Sequence, residues 1–183
     1  MVSPQTLSEA DRRVVALWAA DCAERVLSVF ESEAPDDDRP RDAIARARAY
    51  GRGELDTAQE IARRFVAGRA ARDVEGPAAV AAARSAAQAS AVAHMGAHAL
   101  GAAAYAAKAA GLAAPGNPDA LDDEVHWQLA HMNAAVRTAL ARLPTLGEDS
   151  AGPLGPGLHS SGVLGSTIRT IQAELAGTRP DGA

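Results

Sequence analysis

From Gly76 to Gly111 the chain carries 19 alanines in 36 residues, interrupted by two charged side chains, Arg84 and Lys108, and by no proline after Pro77. Alanine loses no side-chain entropy in a helix and has the lowest helical cost of any residue. The stretch therefore predicts one helix that ends where Pro115, Gly116, Asn117 and Pro118 make a firm break. Such a helix is roughly 50 Å long, wider than a small domain, so it either protrudes or bends at Gly96 or Gly101. Small side chains let neighbouring backbones approach toward the near end of the usual spacing of about 8–10 Å. The long helix is therefore expected at the centre.

The rest of the chain supports the same class. Alanine fills 46 of 183 positions, aromatics are 3%, and turn-bounded runs of Val, Ile, Thr and Tyr are missing. The expected fold is all-α, a single-domain bundle of five to six helices around the central one, with length appropriate to one core. Thr6 and Glu9 have capping-box spacing, and Val14, Trp18, Cys22, Val26 and Phe30 follow at four-residue steps, predicting a first helix over about 7–33. Pro35 to Pro40 reads as a connector, and a second helix runs to about Tyr50, where Gly51 and Gly53 stop it. Asp56 or Thr57 caps a third helix ending near Val74. Val125, Leu129, Met132, Val136, Leu140 and Leu143 form a core stripe on a helix over about 118–143. The helical domain is placed at residues 1–145. Residues 146–183 read as a Gly/Pro-rich linker, mobile to about Gly162, and a short C-terminal helix carrying Ile168, Ile171 and Leu175.

Charge narrows the partners. Acidic residues outnumber Lys and Arg 23 to 18, a net charge of −5, where a phosphate-binding domain shows a basic face. Nucleic acid is not expected, and the balance suits a basic partner. Cys22 is the sole cysteine, so no internal disulfide forms and a reducing compartment, the cytoplasm, is the expected location. Glu9, Asp11, Arg12, Arg13 and Asp21 interrupt the apolar stretch a signal peptide needs. The 23 uncharged residues between Arg84 and Lys108 are mostly alanine and include Gln88, His94 and His98, so no membrane span is expected.

No reaction is identified by the residues. What departs from bland packing is a stripe on the alanine-rich helix: Ser90, His94, His98, Gly101, Tyr105 and Lys108, separated by four, four, three, four and three residues and so on one helical face. Three readings fit it. The histidines are hydrogen-bonded interior groups, or they line a ligand or partner pocket between helices, or His94 and His98 use their i, i+4 spacing to hold a metal, for which the accompanying Glu of HExxH is missing. Glu124, Trp127, Gln128 and His131 form a polar side on the next helix and complete a pocket if they pack against the stripe. Glu124 with His131 is an acid and base pair at most by sequence proximity, and structural packing of the Trp127 indole, with its N–H finding a partner, is the favoured account of that residue.

Three other features resemble chemistry. Asp36, Asp37 and Asp38 match an aspartate-rich Mg²⁺ motif, but in a loop and without a second motif. Cys22 lies on the apolar stripe of its helix as a small core residue. Ser160 and Ser161 follow His159 without the strand, turn and helix of a nucleophile elbow. Neither a metal nor a cofactor is expected.

Two stretches, WAADCAERVLSVFESEAPDDDRPRDAIARARAYGRGE from Trp18 to Glu54 and HALGAAAYAAKAAG from His98 to Gly111, resemble the Imm-5-like putative immunity proteins of bacteria. The resemblance covers about residues 7–143. It implies an all-helical cytoplasmic protein that binds and neutralises a cognate toxin, with no catalytic residues. Asp36, Asp37, Asp38, Arg39 and Arg41 of the matched connector become candidate partner contacts, with helix capping and internal ion pairing as the alternative use of the same charges. The stripe supports a different function, a small-molecule binder or converter with a cleft lined by Ser90, His94, His98, Tyr105, Lys108, Glu124, Trp127 and His131. A homo-oligomer joined through an alanine face is a third arrangement.

Overall fold

The computed structural model describes residues 3–63 and 66–177. After a 3-10 turn at Pro4–Thr6 come α1 (Glu9–Arg25), α2 (Leu27–Glu31), α3 (Arg39–Gly51), α4 (Thr57–Arg63), α5 (Val66–Ala70), α6 (Pro77–Ala91), α7 (His98–Ala113), α8 (Ala120–Ala130), α9 (Ala134–Leu140), a second 3-10 turn at Leu158–Ser160, and α10 (Gly162–Gly177). The fold is all-α, and the described residues form no strand.

Among the described residues the helix count exceeds five to six because three predicted helices are broken and the one expected to end near Val74 is described as α4 and α5, with residues 64–65 between them outside the described residues. The stretch 7–33 turns at Val26, and the stretch 118–143 is interrupted at His131–Asn133, where Asn133 Oδ1 accepts from the Val136 amide (2.9 Å) and restarts the helix as α9. The first cap also moves. Ser8, not Thr6, accepts from the Asp11 amide at 3.1 Å.

The most consequential correction concerns the single helix expected over 77–111, which is two helices, α6 and α7. They form an antiparallel hairpin: Ser85 Oγ donates to the Ala102 carbonyl (2.8 Å) and Gln88 meets His98, so rising numbers on one helix meet falling numbers on the other. The break is made by the beginning of the chain. The Gly96 amide donates to the Thr6 carbonyl and the Ala97 amide to the Gln5 carbonyl, both at 3.0 Å, so these donors are satisfied outside a helix. Alanine's preference is local, and these long-range bonds override it.

Gln5 is buried, and its amide finishes the junction. Nε2 donates to Asp149 Oδ2 and to the Ala151 carbonyl, each at 2.7 Å, while Oε1 accepts from the Leu154 amide at 2.9 Å. The turn at 149–154, within the segment expected as a linker, is thereby tied to the helix break. Leu146 and Leu154 from this segment are buried, as are Leu164, Ile168, Ile171 and Leu175 of α10. The central element is α7 alone. It is buried from Ala99 to Ala107 and touches α1, α6, α8 and α10.

Candidate functional site

The hairpin turn opens a cleft of about 450 Å³, lined by Arg84, Gln88, His94, Met95, His98, Tyr105, Gly152, Pro153 and His159. A second lobe of about 210 Å³ shares Arg84, Gln88, His98 and Tyr105 and continues to Gly68, Ala87 and Ala91. Three elements position the polar groups. Arg84 and Gln88 stand one turn apart on α6, His98 begins α7 with Tyr105 two turns on, and the segment before α10 supplies Pro153 and His159.

Local packing holds these side chains. Gln88 Oε1 lies 2.8 Å from His98 Nδ1, fixing the imidazole ring. Gly101 makes room for that amide, because a Cβ there would fall 2.4 Å from Gln88 Oε1. Tyr105 meets the His159 ring edge-on, centroids 5.6 Å apart, and His159 Nδ1 lies 3.2 Å from the Pro153 carbonyl. Burial raises the Tyr105 hydroxyl above its ordinary range, and the nearby Arg84 guanidinium opposes part of that rise. Burial also lowers His159, with Arg84 adding to the effect and the Pro153 carbonyl opposing it. Both groups are therefore favoured neutral.

The predicted stripe is divided by the helix break. His94, His98 and Tyr105 meet at the cleft. Ser90 instead donates to the Ala87 carbonyl (2.9 Å) and lines a small depression with Arg39, Asp42, Arg46 and Glu60. Lys108, half-buried further along α7, is outside the cleft lining. The His94 and His98 ring centroids are 6.4 Å apart, and among the described residues no three His, Cys, Asp or Glu side chains gather as a metal set. Arg84, Gln88 and His159 were missed by the sequence reading. For Arg84 and Gln88, which sit at i, i+4 on the same alanine-rich run, the spacing was a usable signal; for His159, in a glycine-rich segment, there was none.

Glu124, Trp127 and His131 do not reach the cleft, which corrects the expectation that they could complete it. They face α1. The buried Glu124 accepts from Arg25 Nε (2.7 Å) and from Gln128 Nε2 (3.2 Å), while Trp18 Nε1 donates to the Gln128 carbonyl (3.0 Å). The Arg25 guanidinium lies 4.0 Å from the Trp127 ring centroid, and the His131 ring stacks on Trp127 with centroids 3.9 Å apart. This assembly joins α1 to α8. Cys22 is fully buried beside it, and burial pushes its thiol well above the usual range, with Glu124 adding to the rise, which disfavours the thiolate and fits a small core residue. Ser160 Oγ donates to the Gly157 carbonyl at 2.7 Å, away from nucleophile geometry with His159.

The charged connector lies at the opposite end of α6. Arg39 bridges Asp37 (2.5 Å) and Asp73 (2.6 Å), and Arg41 pairs with Glu31 (2.5 Å). The Arg39 hydrogen bond holds the Asp37 carboxyl below its ordinary range against the opposing effect of burial. The Glu33 carboxylate accepts from the Glu75 and Gly76 amides at 2.6 and 3.0 Å, just before α6, where the positive end of the helix favours a negative charge. Asp36, Asp38 and Glu75 remain exposed on this edge.

The sequence profile described as Imm-5 like putative immunity protein matches residues 5–135, more than half of the chain. The chain belongs to this family. The span that matches the immunity-protein profile holds the connector, the hairpin and Glu124, whereas the His159 wall of the cleft lies beyond it. No curated protein sequence and no solved structure matches the chain. Among the described residues no helix is long and apolar enough to cross a membrane.

Proposed function

We propose that this protein binds a cognate toxin stoichiometrically and neutralises it, using the acidic edge where the α2–α3 connector meets the start of α6. Membership of the immunity-protein family is the observation that carries the reading. The edge supports it in detail. The Asp37–Arg39–Asp73 bridge and the Glu33 bonds to the Glu75 and Gly76 amides pin two segments distant in sequence, so that Asp36, Asp38 and Glu75 project from an already ordered surface. An ordered surface loses less entropy on association. Its negative field would steer a basic toxin face and make the encounter salt-sensitive.

The reading expects a toxin gene beside this one, and the test is titration of the purified chain with that gene's product at low and at high salt. A one-to-one complex that forms faster at low salt is expected, and no association at low salt would remove the reading. The cleft beside His98 favours a second reading, a small-molecule binder or converter, because polar side chains from three elements converge on it.

A further inference from the structure

We infer that the cleft at the α6–α7 turn binds a small organic anion, its carboxylate or phosphate held beside Arg84, His98 and Tyr105 and its apolar body lying in the Ala87–Ala91 lobe. This deepens the small-molecule reading and is independent of toxin binding, so the two fail separately.

The charge pattern carries the argument furthest. Acidic side chains outnumber Lys and Arg across the chain, 23 to 18, yet neither lobe of the cleft is lined by a single Asp or Glu among the described residues. The lining offers a guanidinium, imidazoles, an amide and a phenol instead. Arg84 is exposed and makes no ion pair among the described residues, in a chain where many other arginines are matched to carboxylates. A planar cation with several N–H donors, facing the Tyr105 hydroxyl but no carboxylate at a concave site, keeps donors for two-point capture of an oxyanion.

Shape and rigidity supply the rest. A main cleft of about 450 Å³ is within the range of ligand sites, and the adjoining lobe is walled by glycine and alanine, which suits a compact apolar group. The lining is ordered by contacts that use no ligand: Gln88 on His98, Gly101 beneath Gln88, and Tyr105 edge-on to His159. Preorganised donors lose little freedom when an anion arrives.

The test follows histidine and tyrosine ring resonances by NMR while the full chain is titrated with phenyl phosphate, benzoate, inorganic phosphate and benzyl alcohol. Saturable shifts of His98, Tyr105 and His159 are expected with phenyl phosphate or benzoate at millimolar or tighter dissociation constants. Which of the two binds assigns the head group. Benzyl alcohol should bind about tenfold more weakly or worse. Arg84→Gln, at an exposed position, should weaken the anion by about tenfold or more without changing the circular dichroism. Ala87→Leu should block the lobe while leaving the charge in place. Absence of saturable shifts, equal affinity for benzyl alcohol, or an unchanged Arg84→Gln would overturn the anion site. Equal affinity for inorganic and phenyl phosphate would overturn the apolar lobe.

Discussion

Gly96 lies so close to Leu7 that a Cβ on Gly96 would fall 2.5 Å from the leucine Cδ1 and 2.7 Å from Cγ. The contact sits where the Gln5 and Thr6 carbonyls accept from the Ala97 and Gly96 amides at the helix break. Leu7 itself is held at φ 61°, a conformation that is costly for a leucine. Gly96→Ala should therefore destabilise the fold by about 1–3 kcal/mol through overpacking. Adding Leu7→Ala should recover part of that loss in urea denaturation, whereas additive losses would refute direct contact.

Gln5→Ala removes an amide that satisfies Asp149, Ala151 and Leu154 together. Leaving buried polar groups unpaired costs about 1–3 kcal/mol. Hydrogen exchange should also show protection falling first at the Leu154 amide. Unchanged protection there would mean that the turn is held by other contacts.

These two residues explain what the sequence reveals and what it does not. Alanine content and the period of Trp18, Cys22, Val26 and Phe30 report local preference, and the all-α class follows from them. A break imposed by Thr6 and Gln5 on residues about ninety positions away has no local signature, and Gly96 and Gly101 look alike in sequence. Gly96 receives the N-terminal segment, whereas Gly101 stays helical and accommodates Gln88. The pairing of His98 with Tyr105 at one site was legible because both lie on α7 at seven-residue spacing. His159 was not, because a glycine-rich segment gives no period from which to place it.

Arg25 holds a buried carboxylate at the α1–α8 junction. Its removal as Arg25→Ala leaves Glu124, 4% exposed, without its cation and strips one face of Trp127. A loss of about 1–3 kcal/mol is expected, below the range for fully buried pairs because Arg25 is itself 39% exposed and water can partly replace it. Arg25→Ala combined with Glu124→Leu should lose less than Arg25→Ala alone.

His159 makes stability depend on pH in a defined direction. Its folded pKa is lowered from the ordinary 6.5, chiefly by burial, so the unfolded chain binds a proton more readily. Its contribution is full above about pH 6.5 and is lost as pH falls from there through the lower folded value. Thermal melts should show the wild type losing stability relative to His159→Gln over that window. Parallel pH profiles would contradict the assignment.

Toxin neutralisation through the acidic edge is tested most directly by the growth of cells that express the product of a neighbouring gene, which the proposal expects to be the toxin, together with this chain. Wild-type protein should restore growth. Asp36→Lys, Asp38→Lys and Glu75→Lys together should abolish protection while leaving the melting temperature near that of the wild type, because these side chains are exposed. Toxin-arrested growth in the presence of abundant wild-type protein would contradict the account, and full protection by the triple variant would contradict its placement of the interface.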